Sequence, residues 1–334
     1  MKICAQCFED EEIRKFISAS SSITATCDCC SLENVKVVDL NELSDFFIEL
    51  LHLFVKDNTG NDLIPIIQND WRIFQKESYA YSILSYIMSH ENFDFSIDDK
   101  VAYNSEIQEC FSVWDNLKLE VQEKKRYFSD ISTFNWEVYI KSNAKISKGN
   151  IFYRARITPN GRTILDKNEM GCPPKELATA GRANPLGIPY LYLCKNFETT
   201  FYEVRAVYLD KVSIGEFEII HDLNIVDFSS KINLFYTYTD SDTNENLSDT
   251  VKRKIILDKI SHDLSKPLRR FDTEIEYVPT QLICEYCKQN GADGIQFNSS
   301  LHQGGVNVVL FNPSDAQCVG VSSWEIKNVI IEGA

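Results

Sequence analysis

The 334-residue chain has no apolar run approaching the roughly 18 residues that a membrane-spanning helix needs. Its first residues, Met1-Lys2-Ile3-Cys4-Ala5-Gln6-Cys7, lead into acids and not into the apolar stretch of a secretion signal. A cytoplasmic protein is therefore expected, with no membrane partner. Positive charge is scarce too. Thirty-four Lys and Arg stand against 49 Asp and Glu, a formal net charge of −15. Nonspecific nucleic-acid affinity comes from cations that neutralise phosphates, so this deficit argues against nucleic acid as a partner. A local basic pocket built from Arg154, Arg156 and Arg182 remains compatible with it. Histidine is sparse, and His52, His90, His221, His262 and His302 show no metal-ligand spacing. There is no P-loop, no Gly-x-Gly-x-x-Gly fingerprint and no Gly-x-Ser-x-Gly elbow. Dinucleotide binding for hydride transfer is not supported.

Cysteine, by contrast, is plentiful, with eleven in the chain. Cys4-x2-Cys7 and Cys27-x2-Cys30 are two knuckles separated by nineteen residues. Each knuckle turns two sulfurs towards one point, the spacing of a tetrahedral four-thiolate zinc site. A structural Zn2+ held by Cys4, Cys7, Cys27 and Cys30 is expected, and it would fold a segment with little core of its own. Cys29 leaves the pairing open, since Cys27 with Cys29, or Cys29 with Cys30, also fits; buried thiols or a redox pair are the other readings. Cys284-Glu285-Tyr286-Cys287 lies on the apolar face of an expected helix and lacks a second knuckle, so burial is expected there.

Hydrophobic residues make up 44% of the chain and aromatics 12%, enough for real cores in a chain long enough for two domains. Residues 1–35 form the expected zinc-ribbon segment and residues 36–145 an expected helical domain. Asp39 and Glu42 are placed as a capping box. Leu43, Phe46, Phe47, Leu50, Leu51 and Phe54 then recur at helical spacing until Gly60-Asn61. Further helical patterns cover Tyr79 to Met88 and Ile107 to Leu117, a helical bundle. Residues 142–150 read as a linker. From 150 to 330 the texture is α+β, with strands expected over 151–157, 190–194, 212–218 and 306–311, and a helix over 280–290 closed by Gly291. The polar run 237–248 reads as a surface loop.

In the third segment, Gly181-Arg182-Ala183-Asn184-Pro185-Leu186-Gly187 is a tight turn. Tyr192 follows on an alternating strand, and Glu203 on the next helix. Alternation lets Leu191 and Leu193 face the core while Tyr192 faces a cleft. Taken alone, Tyr192 reads better as a core tyrosine, Arg182 as a surface or turn arginine and Glu203 as a solvated helical carboxylate.

These residues resemble the core of the RES domain, a bacterial toxin family named for Arg, Glu and Ser. Phe152-Tyr153-Arg154-Ala155-Arg156 is similar to its opening strand. Tyr277-Val278-Pro279-Thr280-Gln281, Asp293 to Ser300 and Asn307 to Phe311 are similar to its closing helix and strands. The blocks occur in family order. Residues before 150 resemble the HEPN-like region fused to some RES domains. Ribonucleases of that superfamily carry an Arg followed by a His, and here Arg126 has no such His, so RNA cleavage is not expected. The resemblance implies an ADP-ribosyltransferase-like fold, with a mixed or antiparallel sheet, that destroys NAD. In NAD the nicotinamide is already a pyridinium and leaves as a neutral base, through a transition state that resembles an oxocarbenium ion. The resemblance makes Arg182, Tyr192 and Glu203 catalytic: Glu203 stabilises the sugar cation, Arg182 grips pyrophosphate oxygens and Tyr192 packs on the nicotinamide. Arg154, Ser299, Ser300 and Asn307 are the candidate substrate-binding residues, with Ser300 competing with Ser299 for the family serine. Water, phosphate or a protein could each accept the ADP-ribose. An antitoxin or regulatory protein is an implied partner, and a homo-oligomer is compatible. A non-enzymatic interaction module is the other reading.

Overall fold

The computed structural model describes residues 1–127, 129, 136, 140, 144–240, 245–266 and 274–329. The expected linker 142–150 and loop 237–248 fall partly outside these residues. The chain forms two compact units, one of Met1–Ser112 with Lys231–Ile255, the other of Val113–Ser230 with Ile256–Ala334.

The first unit begins with a three-stranded antiparallel sheet, ordered β1 (Lys2–Cys4), β3 (Val35–Asp39), β2 (Ile23–Ala25). Helix α1 (Glu11–Ser20) starts at Asp10, whose carboxylate accepts from the backbone N–H groups of Glu12 and Ile13, both at 2.9 Å. This satisfies two of the amides that a helix start leaves unpaired. Asp39 does cap, but what it caps is a 3-10 turn, Leu40–Leu43, by accepting from the Asn41 N–H. The turn runs into α2 (Ser44–Leu51), which buries Phe46, Phe47, Leu50 and Leu51. The helical pattern was expected to reach Phe54. Instead the chain leaves the helix and forms β4 (Phe54–Asp62), antiparallel to β5 (Lys100–Tyr103). Helices α3 (Leu63–Trp71) and α4 (Glu77–Met88) follow, and α5 (Ser105–Leu119) begins in this unit, whose first segment ends at Ser112. The core is aromatic: the Phe47 ring centroid lies 6.3 Å from Phe8 and 5.8 Å from Phe74.

The second unit is built on an eight-stranded sheet. Its strands in chain order are β6 (Ala144–Ile146), β7 (Ile151–Ile157), β8 (Leu191–Cys194), β9 (Lys211–Ile219), β10 (Leu223–Asp227), β11 (Gly294–Asn298), β12 (Val306–Leu310) and β13 (Ala316–Glu325). Their order across the sheet is β13-β9-β7-β8-β12-β11-β10-β6. All neighbours are antiparallel except β10 and β11. One face buries Phe152, Leu191, Leu193, Phe217, Val308 and Leu310 around Met170. The other packs Ala155, Val212 and Ile214 against Phe197 and Phe201 of α6 (Phe197–Glu203). Helix α7 (Leu247–Ser265) and helix α8 (Val278–Gln289) follow, and Gly291 just after α8 has φ +83°. Cys284 and Cys287 are buried on α8, as expected. The fold is thus the anticipated α+β type, with an N-terminal cysteine-rich segment and helices followed along the chain by a mostly antiparallel sheet.

One register fact positions the site. Strand β8 pairs with β12 along its whole length but meets β7 at a single position, Tyr153 opposite Cys194. The two central strands part beyond that point, and a parted sheet is a ready-made crevice.

Candidate functional site

Paired residues in an antiparallel sheet point to the same face. Phe297 is opposite Asn307, Asn307 opposite Cys194, and Cys194 opposite Tyr153, so a single row crosses β11, β12, β8 and β7. All four line a cavity of about 350 Å3. Helix α6 adds Thr200 and Glu203, the loop before β8 adds Gly181 and Arg182, and Tyr277 enters from the start of α8. Tyr192 and Arg154 also line the cavity.

Glu203 is the polar centre. Its Oε1 accepts from Ser299 Oγ at 2.7 Å and from Asn307 Nδ2 at 2.7 Å. Ser299 Oγ in turn accepts from the Leu301 N–H at 3.2 Å, so its own proton is committed to Glu203. Behind Asn307, Cys194 Sγ donates to Asn307 Oδ1 at 3.3 Å. Burial, with the neighbouring Glu203 charge adding to it, pushes the Cys194 thiol up to about 12. It stays protonated, and it is a donor.

Arg182 sits on a turn that three side chains hold. Tyr192 OH donates to Asn184 Oδ1 at 2.8 Å and accepts from the Ala183 N–H at 3.0 Å. From α8, Thr280 Oγ1 donates to the Arg182 carbonyl at 2.6 Å and Gln281 Nε2 to the Gly181 carbonyl at 2.8 Å. A Cβ at Gly181 would lie 2.6 Å from Asn184 Oδ1 and 2.7 Å from Tyr192 OH, so only glycine lets this bond form. The Arg182 side chain donates from Nη1 to the Leu264 carbonyl at 3.3 Å. Burial pushes the Tyr192 hydroxyl well above its ordinary value, so it remains a neutral donor. Its ring lines the cavity while its hydroxyl is tied into the turn.

Arg154 Nη1 is buried with no hydrogen-bond partner among the described residues. Burial, and then the nearby Arg156 charge, lower the pKa of its guanidinium, although arginine remains cationic at any working pH. A buried guanidinium N–H without a partner costs free energy unless an acceptor reaches it. The Cys172 thiol lies beside this guanidinium.

Residues 151–327, just over half of the chain, match the RES domain family. The chain belongs to the RES domain family. Among solved structures, the M. tuberculosis MbcT-MbcA toxin-antitoxin complex contains a similar chain at 12% identity, aligned over 66% of this chain and 93% of its own, with a TM-score of 0.32. No curated protein matches.

Within this RES domain, Arg154, Arg182, Tyr192, Glu203 and Asn307 line one cavity, and Ser299 joins them by its bond to Glu203. Ser300 is set apart. It is exposed, its Oγ donates to the Ser265 carbonyl at 2.5 Å, and it does not line the cavity. Sequence reasoning overlooked Asn184, Cys194, Thr200, Tyr153 and Tyr277. Strand alternation held a signal for Cys194, which shares a face with Tyr192. The signal for Asn184 was weaker, an Asn-Pro turn with no hint of its long-range partner.

The RES domain is preceded by the cysteine cluster. The sulfurs of Cys4, Cys7, Cys27 and Cys30 all lie within 4.8 Å of one another, with Cys4 to Cys30 at 3.5 Å and Cys7 to Cys27 at 3.6 Å. Tetrahedral Zn–S bonds of about 2.3 Å place sulfurs about 3.8 Å apart, so the donor set fits such an ion. Cys29 is not in this set; its Sγ lies 3.9 Å from the Tyr79 carbonyl. Among the described residues no helix is long and apolar enough to cross a membrane.

Proposed function

We propose that this RES domain cleaves the bond between nicotinamide and ribose in NAD, and that the protein acts as a toxin or defence effector. The observation that carries the reading is Glu203. It is a carboxylate fixed by two donors on one oxygen, in a cavity that Arg154 and Arg182 also line. Among the described residues Oε2 of Glu203 takes no hydrogen bond, so it is the oxygen left to meet a ligand.

The chemistry follows from the substrate. Nicotinamide departs as a neutral base, so no general acid is required. What needs help is the positive charge that builds on the ribose as the bond breaks. A preorganised carboxylate stabilises that charge without reorganising at the moment of reaction. Glu203 meets this demand, with Ser299 and Asn307 preventing the rotation that would blunt it. Arg154 and Arg182 face the pyrophosphate with forked donors that lysine does not reproduce. Tyr192 offers a ring face whose hydroxyl is already spent on the turn, so the ring cannot swing away. Water or phosphate then takes the ADP-ribose. Zinc is the ion proposed for the cysteine cluster, in a structural role, and a protein that covers the cleft is the proposed means of restraint.

The test is NAD consumption by purified protein, with and without phosphate, resolved by mass spectrometry. Glu203→Gln keeps the size of the side chain and removes its charge, so kcat should fall by about a hundredfold or more. Free ADP-ribose or its 1-phosphate would name the acceptor. ADP-ribose found covalently on protein would favour transfer to a protein target. Intact NAD with folded parent protein would count against the reading and favour an interaction module.

A further inference from the structure

The thiol of Cys194 is a polar group of the cavity lining that the proposed chemistry leaves unused. Three hydrogen-bonding roles around it are forced. An ionised carboxylate only accepts, so the Asn307 atom 2.7 Å from Glu203 Oε1 is its amide nitrogen. The amide oxygen then faces Cys194 and needs a donor, and a protonated thiol is the group present, at 3.3 Å. Cys194 and Asn307 are direct cross-strand partners of β8 and β12, so the sheet itself sets their separation. Both side chains are buried, at 6% relative exposure each. Turning the amide over would bring two acceptor oxygens together at Glu203 and leave the thiol facing an NH2 group.

We propose that Cys194 is a positioning residue: its S–H holds the Asn307 amide in the orientation that presents Nδ2 to Glu203. The sulfur forms no bond with substrate and transfers no proton. It acts through Asn307, and its effect on turnover rests on the reading of Glu203 given above. A thiol suits the task because it donates weakly, fills an apolar floor beside Tyr153 and Phe297, and at its raised pKa does not ionise next to Glu203.

The experiment has a spectroscopic arm and a kinetic arm, both on the full chain. Infrared difference spectra of the parent against Cys194→Ala isolate the S–H stretch of this residue from the other ten cysteines. The expected band is displaced to lower frequency, as for a hydrogen-bonded thiol, and moves to the free-thiol position in Asn307→Leu. In the kinetic arm Cys194→Ala lowers kcat about tenfold while KM changes less than about twofold, and Cys194→Ser recovers part of the loss. A band already at the free-thiol position overturns the proposal. So does a Cys194→Ala enzyme with unchanged kcat, or one in which KM alone rises. Should the parent leave NAD intact, the reading of Glu203 as the catalytic group fails, and the S–H band decides the positioning claim by itself.

Discussion

The Tyr192 hydroxyl donates to Asn184 and accepts from Ala183, so it closes the turn that carries Arg182 while its ring lines the cleft. Removing the oxygen alone separates these roles. Tyr192→Phe keeps the ring but leaves the buried Asn184 Oδ1 without this donor, a loss worth about 1–3 kcal/mol. The expected outcome is a lower melting temperature and a raised KM for NAD, with kcat changed less, because the looser element is the one proposed to grip the pyrophosphate. Unchanged KM and melting temperature would show that Thr280 and Gln281 hold the turn unaided. This arrangement also marks the limit of reading single residues from sequence. Arg182, Tyr192 and Glu203 stand out only when aligned with a family, since an arginine on a turn or a glutamate on a helix is ordinary by itself. The partners of Asn184 and Cys194 were hidden for a further reason: Cys194 meets Asn307, 113 residues away.

Elements with strong periodicity were legible, and those decided by pairing were not. The strand Ile151–Ile157 falls where alternation placed it, and α4 covers the expected Tyr79 to Met88. Strand β4 is different. Phe54–Asp62 contains Lys56, Asp57, Asn58, Thr59, Gly60 and Asn61 in succession, a polar run that no pattern distinguishes from a loop. It is a strand because β5 captures it, with a register shift between Lys56 and Asn61 where the ladder resumes. Gly60 sits inside that shift, and a Cβ there would lie 2.2 Å from the Val101 carbonyl oxygen. The backbone would have to yield, and forced overpacking of this kind costs about 1–3 kcal/mol. Gly60→Ala is therefore expected to lower the denaturant midpoint and to speed amide exchange along Val101 to Tyr103. Exchange rates equal to those of the parent would mean that the bulge relaxes without loss. The parting of β7 from β8 belongs to the same class of feature. Each strand was foreseeable, yet the single pairing that opens the cleft is a property of register, which short strands separated by a long connection do not encode locally.

At the scale of the molecule, the chain leaves the second unit at Ser230 and returns to the first for Lys231–Ile255, a path with no compositional mark. The cysteine spacing, by contrast, was legible from sequence, because ligand geometry is local chemistry. Strands β1 to β3 amount to eleven residues, too few for an independent sheet, and the knuckles sit at the end of β1 and in the β2–β3 connection. Four thiolates on one bound ion would tie those ends together, and the free energy of metal binding would then be folding free energy. A strong chelator, or Cys4→Ser, should release about one equivalent of zinc and abolish amide protection across Lys2 to Asp39. Protection along β8 and β12 should survive, since that core of Leu191, Leu193, Val308 and Leu310 contains none of the four ligands. Metal analysis near zero on intact, unchelated protein would remove zinc from the account. Full metal loss with protection of Lys2 to Asp39 intact would show instead that Ile3, Val37 and Val38, all buried in the first core, hold the segment by packing alone.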